Sequence, residues 1–411
     1  MRSVSVQIDS VAAGGDGVGR TDGLVVFVPR TAPGDIVTAQ ISGKGHFARG
    51  TLRSVVTASP VRIDPPCPHY TRDRCGGCQV QHMSYEAQLA AKQLIIRDSL
   101  QRIGKRSVEP PPIARSPQEW RYRTKLTLAM RRRGARWIAG LHPYDDPAAV
   151  FALADCPITD RRVVATWREV MSADAFFPDG RELRGSVRIT SGGATLVMMG
   201  GRDWAAREQF SAAVPSVSAL WWEPDGEGLR RKLYDRRADR SPGASFAQVN
   251  AEVAAELKSF VVSRITSLGA RSVVDCYAGA GHTAFALTEA GVVVTAIELD
   301  ADASAWSAER LPPPSRAVQA RVEDALPRHL PADVVILNPP RAGLDGSVTE
   351  TLEAQSASTQ RLIYISCNPA TLARDISRLP SFRIESVRAF DMFPQTAHVE
   401  TVCELASTAP A

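Results

Sequence analysis

The chain has few aromatic residues, few cysteines and no long apolar run, and the last two of these absences each exclude a class of protein. Aromatic residues make up 6% of the 411 residues, and there are seven cysteines. No apolar stretch approaches the roughly 18 residues that indicate a membrane span, and no cleavable secretion signal opens the sequence. We therefore expect a cytoplasmic protein with reduced thiols, and we exclude a membrane protein or a disulfide-stapled secreted fold.

Positive charge is distributed unevenly along the chain. Residues 1–240 contain 36 Lys and Arg against 25 Asp and Glu, whereas residues 241–411 contain 13 against 19. The basic residues are almost all arginine, whose planar guanidinium suits phosphate recognition, although a GC-rich genome would produce the same excess. The asymmetry predicts that the front part binds a polyanion and the back part a different kind of ligand.

Residues 1–58 consist of short β-branched runs separated by glycine and proline turns. This pattern predicts a small antiparallel barrel of the OB type. The segment resembles the TRAM domain, an OB-like barrel that precedes the catalytic part of several RNA-modifying enzymes. Such a barrel would offer an open face to nucleic acid; a barrel without a ligand is the alternative.

Residues 59–240 are predicted to form a mainly β central domain that binds RNA. Apolar residues at helical spacing predict an amphipathic helix over residues 85–103. Packing of this helix on the catalytic domain, instead of within the central domain, is an open alternative. Later in the region, arginines next to Trp137 would combine charge for phosphates with an aromatic face for a base. A solvated hairpin tip is the alternative. These arginines are Arg131, Arg132, Arg133 and Arg136.

Four of the seven cysteines lie in this central region, and their spacing is typical of a metal or cluster site. The candidate ligands are Cys67, Cys75, Cys78 and Cys156. Four thiolates can hold either zinc or an iron–sulfur cluster. Zinc ribbons normally bring two C-x-x-C pairs, whereas here the fourth cysteine stands alone before a proline, which favours iron–sulfur over zinc.

From residue 241 onward, apolar strands alternate with helices, which predicts a Rossmann-like, doubly wound parallel sheet. Gly279 and Gly281 follow the first strand and would let the backbone approach a ligand closely. Glu298 ends the next strand, 19 residues after Gly279, where it could accept hydrogen bonds from ribose hydroxyls. The turn lacks a third glycine, which favours S-adenosylmethionine over NAD. Asp324 is a candidate contact to the adenine amino group, with helix capping as the alternative.

Two further segments are expected at the carboxyl ends of strands, where open α/β sheets bind their ligands. They are residues 338–344 (NPPRAGL) and residues 366–369 (SCNP). Cys367 follows a buried strand and precedes Asn-Pro, so we expect a rigid turn that exposes a reactive thiol. Cys276 and Cys403 have apolar neighbours within strands and are expected to be structural.

Taken together, these motifs resemble the RNA uracil-C5 methyltransferase family over essentially the whole chain. The motifs are the TRAM-like barrel, the four front cysteines, FAQVN, DCYAGAG, IELD, NPPRAGL, SCNPATLARD and HVETV. The resemblance implies a TRAM barrel, a central domain with a [4Fe-4S] cluster and a class I methyltransferase domain over residues 241–411. It also implies an enzyme that makes 5-methyluridine in RNA. The sequence indicates no obligate protein partner, and we expect a monomer. The favoured substrate is 23S rRNA, and tRNA is the alternative.

The resemblance also implies roles for single residues. Cys367 would be the nucleophile and Glu400 the base, and the chemistry needs both types of group. A thiolate added to C6 makes uracil C5 nucleophilic, and a carboxylate must then remove the C5 proton. Phe246 and Arg341 are further candidates for RNA contact. The expected contacts to the methyl donor are Gln248, Tyr277, Gly279, Gly281, His282, Glu298, Asp324 and Asn338.

The chain departs from the family pattern at two of these positions. Asn338 stands where the family usually has Asp, and His282 stands where Asn is more common. Asn-Pro-Pro also occurs in amino-group methyltransferases that act on adenine or cytosine, but there an aromatic residue follows, and here Arg341 does. A catalytically inactive RNA-binding scaffold is the other alternative. Retention of both Cys367 and Glu400 argues against it.

Overall fold

The computed structural model describes residues 2–43, 46–134, 136–239 and 241–409 and divides the chain into two compact units. Unit 1 comprises Met1–Ile63, His82–Pro117 and Glu252–Ala411, and unit 2 comprises Asp64–Gln81 and Gln118–Ala251. The region expected to form one central domain, residues 59–240, is therefore interrupted, because residues 82–117 belong to unit 1. Its expected boundary at residue 240 lies outside the described residues.

The N-terminal part of unit 1 is a closed five-stranded barrel, which confirms the prediction of an OB-like fold. Its strands are β1 (Arg2–Val11), β2 (Gly17–Thr21), β3 (Leu24–Val28), β4 (Ile36–Ser42) and β5 (Phe47–Thr57). They pair in the order β1-β2-β3-β5-β4, and β4 closes the barrel on β1. Alternate residues point inward, so that Val6, Ile8, Val26 and Val37 fill the interior.

Two helices and a short strand come next along the chain. They are α1 (Pro68–Thr71) in unit 2, and α2 (Tyr85–Arg102) and β6 (Ile113–Ala114) in unit 1. The Oγ atom of Ser84 accepts a hydrogen bond from the N–H of Ala87 (3.4 Å) and caps the start of α2. Ile96 and Leu100 of α2 belong to the same apolar core as the C-terminal sheet of unit 1.

Unit 2 is built on a seven-stranded sheet with two helices besides α1. The strands are β7 (Lys125–Arg133), β8 (Arg136–Leu141), β9 (Phe151–Ala152), β10 (Glu182–Thr190), β11 (Gly193–Met199), β12 (Val217–Glu223) and β13 (Arg231–Asp235), and the helices are α3 (Arg161–Ser172) and α4 (Arg207–Ala213). The sheet order is β13-β12-β11-β10-β7-β8-β9. Leu126, Leu128 and Met130 of β7 alternate onto one face, where they share a core with Val163 and Trp167 of α3.

The C-terminal part of unit 1 is a Rossmann-like sheet with helices between its strands, as predicted. The helices are α5 (Ala251–Ser267), α6 (His282–Glu289), α7 (Ala301–Ala308), α8 (Val322–Ala325), α9 (Gly346–Ala354) and α10 (Pro369–Ser377). The strands are β14 (Ser272–Cys276), β15 (Val293–Glu298), β16 (Arg316–Gln319), β17 (Val334–Leu337), β18 (Arg361–Ser366), β19 (Phe382–Phe390) and β20 (Glu400–Ser407). With β6 at one edge, the order is β16-β15-β14-β17-β18-β20-β19-β6.

The direction of one central strand differs from the sequence-based expectation. Strands β14 to β18 are parallel, but β20 runs antiparallel to both β18 and β19. An antiparallel pair needs no crossover helix, and the segment from β19 to β20 contains none. In the part of the chain that the structure describes, no helix combines the length and apolar character needed to cross a bilayer.

Candidate active site

Cys367 lies one residue beyond the end of β18, in a turn that several hydrogen bonds hold. Its side chain is half-buried. The Oδ1 atom of Asn368 accepts from the N–H of Ala370 (3.1 Å), which caps α10, and Pro369 is the first residue of that helix. The Oγ atom of Ser366 accepts from the N–H of Asn368 (3.1 Å). The Ser-Cys-Asn-Pro sequence therefore forms a rigid strand-to-helix turn around the thiol.

Glu400 opens the neighbouring strand and lies at the same sheet edge as Cys367. Ser366 pairs with Thr401 in the antiparallel register of β18 and β20, so the next residue on each strand, Cys367 and Glu400, falls at the same end of the pair. Glu400 is 2% exposed, and its Oε2 atom has no hydrogen-bond partner among the described residues. Burial raises the pKa of Glu400 to about 8, against the opposing effect of Arg341. A buried carboxylate of this kind is a strong base once ionised.

Arg341 completes a group of three interacting side chains. Burial raises the pKa of Cys367, and the carboxylate of Glu400 raises it further. The guanidinium of Arg341 lowers the same pKa through its charge and through a hydrogen bond to the thiol. A cation beside a thiol favours the reactive thiolate. The structure thus places Arg341, expected to contact RNA, next to the candidate nucleophile.

The segment that carries Arg341 is fixed by contacts to α10. The side-chain amide of Asn368 donates to the carbonyl of Arg341 (3.3 Å), and the N–H of Leu344 donates to Oδ2 of the buried Asp375 (2.8 Å). Asn338, at the start of this segment, is half-buried and lies directly after β17. The segment 338–344 and the turn at Cys367 are therefore joined at one sheet edge, as the sequence predicted.

The glycine turn after β14 has the backbone that its sequence requires. Tyr277, Gly279 and Gly281 have φ values of 61°, 55° and 76°, in the left-handed region that favours glycine. A Cβ atom on Gly281 would lie 2.4 Å from the Oγ of Ser307, whereas the space around Gly279 is open within 4 Å. The N–H of Gly279 donates to Oε2 of Glu298 (2.7 Å). The turn therefore sits against the end of β15 and leaves room for a ligand.

The other expected donor contacts in unit 1 differ in their placement. Glu298 is half-buried at the end of β15, and His282 is the exposed first residue of α6. Asp324 is exposed in α8, where it does not cap the helix, because Arg321 is the capping residue. Glu323, beside it, is half-buried, and its charge is among the causes that raise the pKa of Tyr277, after burial and Cys276. Glu323 therefore acts on the glycine turn through its charge.

Asp275 is a functional candidate that the sequence reasoning missed. It is 3% exposed in β14, and its Oδ2 atom has no hydrogen-bond partner among the described residues. Burial raises the pKa of Asp275 to about 7, and the charge of Glu298 contributes. The sequence does contain a signal for this candidate, which is the carboxylate inside the apolar strand VVDC. Burial of a carboxylate costs free energy, so its presence in such a strand points to a function.

The remaining candidates for RNA or donor contact belong to unit 2. Gln248 is half-buried and Phe246 is 71% exposed, both just before α5. Arg131, Arg132, Arg133 and Arg136 lie on the β7–β8 hairpin, and Arg131 forms an ion pair with Glu182 (2.7 Å). Trp137 is buried and packs on Phe177, with ring centroids 5.7 Å apart. The expectation that Trp137 offers a face to a base is therefore wrong.

The four front cysteines line one cavity of about 130 Å³ in unit 2. All four are buried. Burial raises the pKa of the Cys78 thiol, and the charges of Cys156, Cys75 and Cys67 raise it further, so the four groups interact. The N–H of Gly77 donates to the Sγ of Cys75 (3.4 Å). Among the described residues, however, no group of three or more His, Cys, Asp or Glu is arranged to hold a metal ion.

Comparison with known proteins agrees with this geometry. Residues 316–407 match the family described as tRNA (Uracil-5-)-methyltransferase, and residues 2–52 match the TRAM domain. An uncharacterized RNA methyltransferase of Protochlamydia amoebophila is 31% identical, over 98% of this chain and 97% of its own length. One of Thermosynechococcus vestitus is 32% identical, over 99% and 98%.

The fold is similar to a solved structure over the same extent. The crystal structure of Pyrococcus abyssi tRNA (uracil-54, C5)-methyltransferase in complex with S-adenosyl-L-homocysteine has a TM-score of 0.69 and 20% identity. The match covers 98% of this chain and 100% of that one. The family matches at both ends of the chain and the full-length relatives lead to one assignment. This chain belongs to the RNA uracil-C5 methyltransferase family and carries an N-terminal TRAM domain.

Proposed function

We propose that this protein transfers a methyl group from S-adenosylmethionine to C5 of a uridine in RNA through a covalent bond between Cys367 and uracil C6. The observation that carries the proposal is the pairing of a half-buried thiol with the buried carboxyl of Glu400 at adjacent strand ends. Arg341 interacts with both groups. A nucleophile, a base and a cation at the ligand-binding edge of a Rossmann-like sheet are the parts that this reaction needs.

Each side chain has a defined task in this scheme. Attack of the Cys367 thiolate forms a C6–S bond and moves the electron pair of the C5–C6 double bond into an enolate, so that C5 becomes nucleophilic. S-adenosylmethionine, when bound, supplies the methyl group that C5 receives. Glu400 then removes the remaining proton on C5. The electron pair of that C–H bond restores the double bond, and the C6–S bond breaks to release the Cys367 thiolate.

The residues around the glycine turn fit a bound methyl donor. Space is open beside Gly279, whose N–H already contacts Glu298. Glu298 would accept hydrogen bonds from the ribose hydroxyls. When ionised, the buried carboxyl of Asp275 adds negative charge behind the turn, which favours a cationic sulfonium. The family usually has a carboxylate at position 338, and its charge would attract that cation. Asn338 would instead contribute an uncharged amide.

We also propose that the four front cysteines hold a [4Fe-4S] cluster. Four buried thiols around one cavity form a donor set typical of such a cluster. The spacing favours a cluster over zinc, because zinc ribbons normally bring two C-x-x-C pairs, whereas Cys156 stands alone before a proline. The N–H of Gly77 near Cys75 would stabilise a sulfur that carries negative charge.

The proposed substrate is 23S rRNA, with tRNA as the alternative, and the proposed setting is a monomer in the cytoplasm. The matched relatives are named only as RNA methyltransferases, whereas the similar solved structure acts on tRNA. Transfer of a labelled methyl group to 23S rRNA fragments and to tRNA transcripts, followed by mapping of the modified position, distinguishes the two substrates. Incorporation into neither RNA contradicts the proposed activity.

Trapping with 5-fluorouridine RNA tests the mechanism directly. Fluorine replaces the proton that Glu400 removes, so we expect the RNA to remain bound to Cys367 after methyl transfer. A denaturing gel detects the adduct, and mass spectrometry identifies the peptide. Cys367→Ala should form no adduct and no methylated product. Cys403→Ala, which changes a buried cysteine of the adjacent strand β20, should form both. Full methylation by Cys367→Ala would instead support an amino-group methyltransferase.

A further inference from the structure

The sheet of unit 2 has a basic face opposite the one that packs on α3. In the register of β7 and β10, Lys125 lies opposite Arg188 and Thr127 lies opposite Ser186. Successive strand residues point to opposite faces, and Leu126 points into the core shared with α3. The four polar side chains therefore project together on the other side of the sheet.

These side chains line a pocket of about 210 Å³. Arg184, Arg230 and residues 243–245 also line it. In the part of the chain that the structure describes, no carboxylate lines this pocket. Its lining combines four cationic groups with hydroxyl groups that can donate hydrogen bonds, and it contains no aromatic ring. Such a lining suits a phosphate group better than a base.

The positive charge in this pocket is only partly compensated by acids: Arg230 forms an ion pair with Glu223 (3.4 Å), and the charge of Asp239 acts on Arg188. Lys125 and Arg184 form no ion pair with any described residue. Arg188 is 7% exposed; its terminal nitrogens donate to the carbonyls of Ser245 (2.9 Å) and Pro242 (2.8 Å), and its Nε has no partner among the described residues. Burial lowers the pKa of Lys125, and Arg188 and its neighbours lower it further. An anion in the pocket would relieve this repulsion.

We propose that this pocket binds a phosphate of the RNA backbone during substrate recognition. The proposal rests on the proposed function, which supplies RNA as the substrate. The whole formal surplus of positive charge lies in unit 2, which contains 23 Lys and Arg against 18 Asp and Glu, whereas unit 1 contains 26 of each. Within unit 2, partly dehydrated cations attract an anion more strongly than exposed ones do. The arginines of the β7–β8 hairpin are weaker candidates, because Arg131 is already paired with Glu182 and the other three are exposed.

Salt dependence of RNA binding tests the proposal on the full-length protein. The probe is a fluorescein-labelled, single-stranded RNA of mixed sequence, and its Kd is measured at several salt concentrations. We expect Lys125→Gln and Arg184→Gln each to weaken binding and to lower the slope of log K against log salt by about 0.7. An increase from 50 to 200 mM salt should therefore weaken RNA binding by each variant roughly 2.5-fold less than it weakens binding by the unchanged protein. Lys125→Arg, which keeps the charge, should retain the slope.

The matched control is Arg161→Gln. Arg161 is an exposed residue of α3, on the opposite face of the same sheet, so its substitution removes the same charge from the same unit. We expect its affinity and slope to equal those of the unchanged protein. Equal slopes for Lys125→Gln and Arg161→Gln would overturn the proposal, because a general loss of charge would then explain the effect.

Inorganic phosphate distinguishes an RNA phosphate from a small phosphorylated ligand. Weak competition by phosphate that disappears in Lys125→Gln, together with the changed RNA slope, supports the proposal. Competition without a changed RNA slope overturns it in favour of a small ligand. The methylation assay on the unchanged protein is separate. A protein that shows the pocket-dependent slope but makes no 5-methyluridine contradicts the proposed function and leaves the phosphate site standing.

Discussion

Cys367 and Glu400 lie at adjacent strand ends, and their two acidic side chains cannot easily be ionised at the same time. Burial disfavours both anions, and the charge of Glu400 raises the pKa of Cys367 further. The positive charge of Arg341 favours the ionised form of each group, since it lowers both pKa values. The free enzyme therefore holds a thiol and a carboxyl that are mostly protonated near neutral pH, and both must lose a proton during the reaction.

The methylation rate should consequently rise with pH through about 8. Below that value Glu400 is protonated and cannot remove the C5 proton, and the Cys367 thiolate is scarce. Because both groups must be deprotonated, we expect kcat/KM to fall about tenfold for each pH unit between the two apparent pKa values and about 100-fold for each unit below the lower one. The measurement is methyl transfer to RNA between pH 6 and 9 at fixed salt. A rate that does not change with pH over that range would contradict this account.

Substitution of Glu400 separates the two titrating groups. Glu400→Gln should lose methyl turnover but still form the adduct with 5-fluorouridine RNA, because that step needs only the thiolate. Removal of the neighbouring carboxylate should also shift the pH dependence of adduct formation to lower pH. Glu385→Gln changes an exposed carboxylate on the neighbouring strand β19 and should leave both properties unaltered.

Sequence reasoning predicted single residues well where the backbone itself constrains the choice. The left-handed turn at Gly279 and Gly281 and the strand-end position of Cys367 follow from local sequence. Asp275 and Trp137 could not be placed in the same way, because their burial depends on neighbours from distant strands. The roles of Cys367 and Glu400 came from the family resemblance and stay predictions until the adduct is tested.

At the scale of elements, α2 holds the segment that leads to Glu400, the proposed base. Lys92 of α2 donates to Oδ1 of Asp391 (2.5 Å) and to the carbonyl of Phe393 (3.0 Å), and both ionic side chains are at most 1% exposed. Gln88 donates to Oε1 of Gln395 (3.0 Å) and accepts from its N–H (2.9 Å). The connection from β19 to β20 is therefore fixed to α2 before it reaches Glu400.

Breaking the buried ion pair should destabilise unit 1 and slow the reaction. Lys92→Met leaves the carboxylate of Asp391 buried without its cation, which costs about 3–5 kcal/mol. Chemical denaturation of unit 1 and methyl-transfer kinetics measure the two effects. The double variant Lys92→Met with Asp391→Leu removes both charges and should recover most of the stability.

The control for this pair is Arg102→Met, which removes an exposed cation from the same helix. Surface changes of this kind stay within about 0.5 kcal/mol. Equal stability of Lys92→Met and Arg102→Met would contradict a structural role for the ion pair. The helix itself was predicted at residues 85–103 and occurs at Tyr85–Arg102. Its ionic partner, 299 positions away, could not be read from local periodicity.

At the scale of the whole molecule, the charge balance of the parts depends on how the chain is divided, by position in the sequence or by compact unit. Division of the sequence at residue 240 separates a strongly basic front from an acidic back. Division by unit leaves unit 1 neutral and gives the entire surplus of five positive charges to unit 2. The difference arises because the basic barrel and residues 82–117 join the acidic C-terminal sheet in unit 1. The predicted polyanion-binding function is therefore best assigned to unit 2.

The two units also have separate apolar cores, which leads to a prediction about the cysteine cluster. Cys67, Cys78 and Cys156 belong to the core of unit 2, whereas the glycine turn and the strand ends around Cys367 belong to unit 1. We expect anaerobically purified protein to contain iron and acid-labile sulfide. Cys78→Ser should lose most of that iron and should make unit 2 more susceptible to proteolysis, since the cluster would join residues from two separate chain segments.

The affinity of unit 1 for S-adenosylmethionine should survive this loss, because no ligand of the cluster contributes to its core. Calorimetric titration of the Cys78→Ser protein with S-adenosylmethionine measures that affinity, while affinity for RNA is expected to fall as unit 2 loosens. Cys403→Ala changes an equally buried cysteine of unit 1 and should retain the iron. Zinc in place of iron, or equal iron in Cys78→Ser and the unchanged protein, would contradict the cluster. A coupled loss of donor binding would mean that the two cores depend on each other.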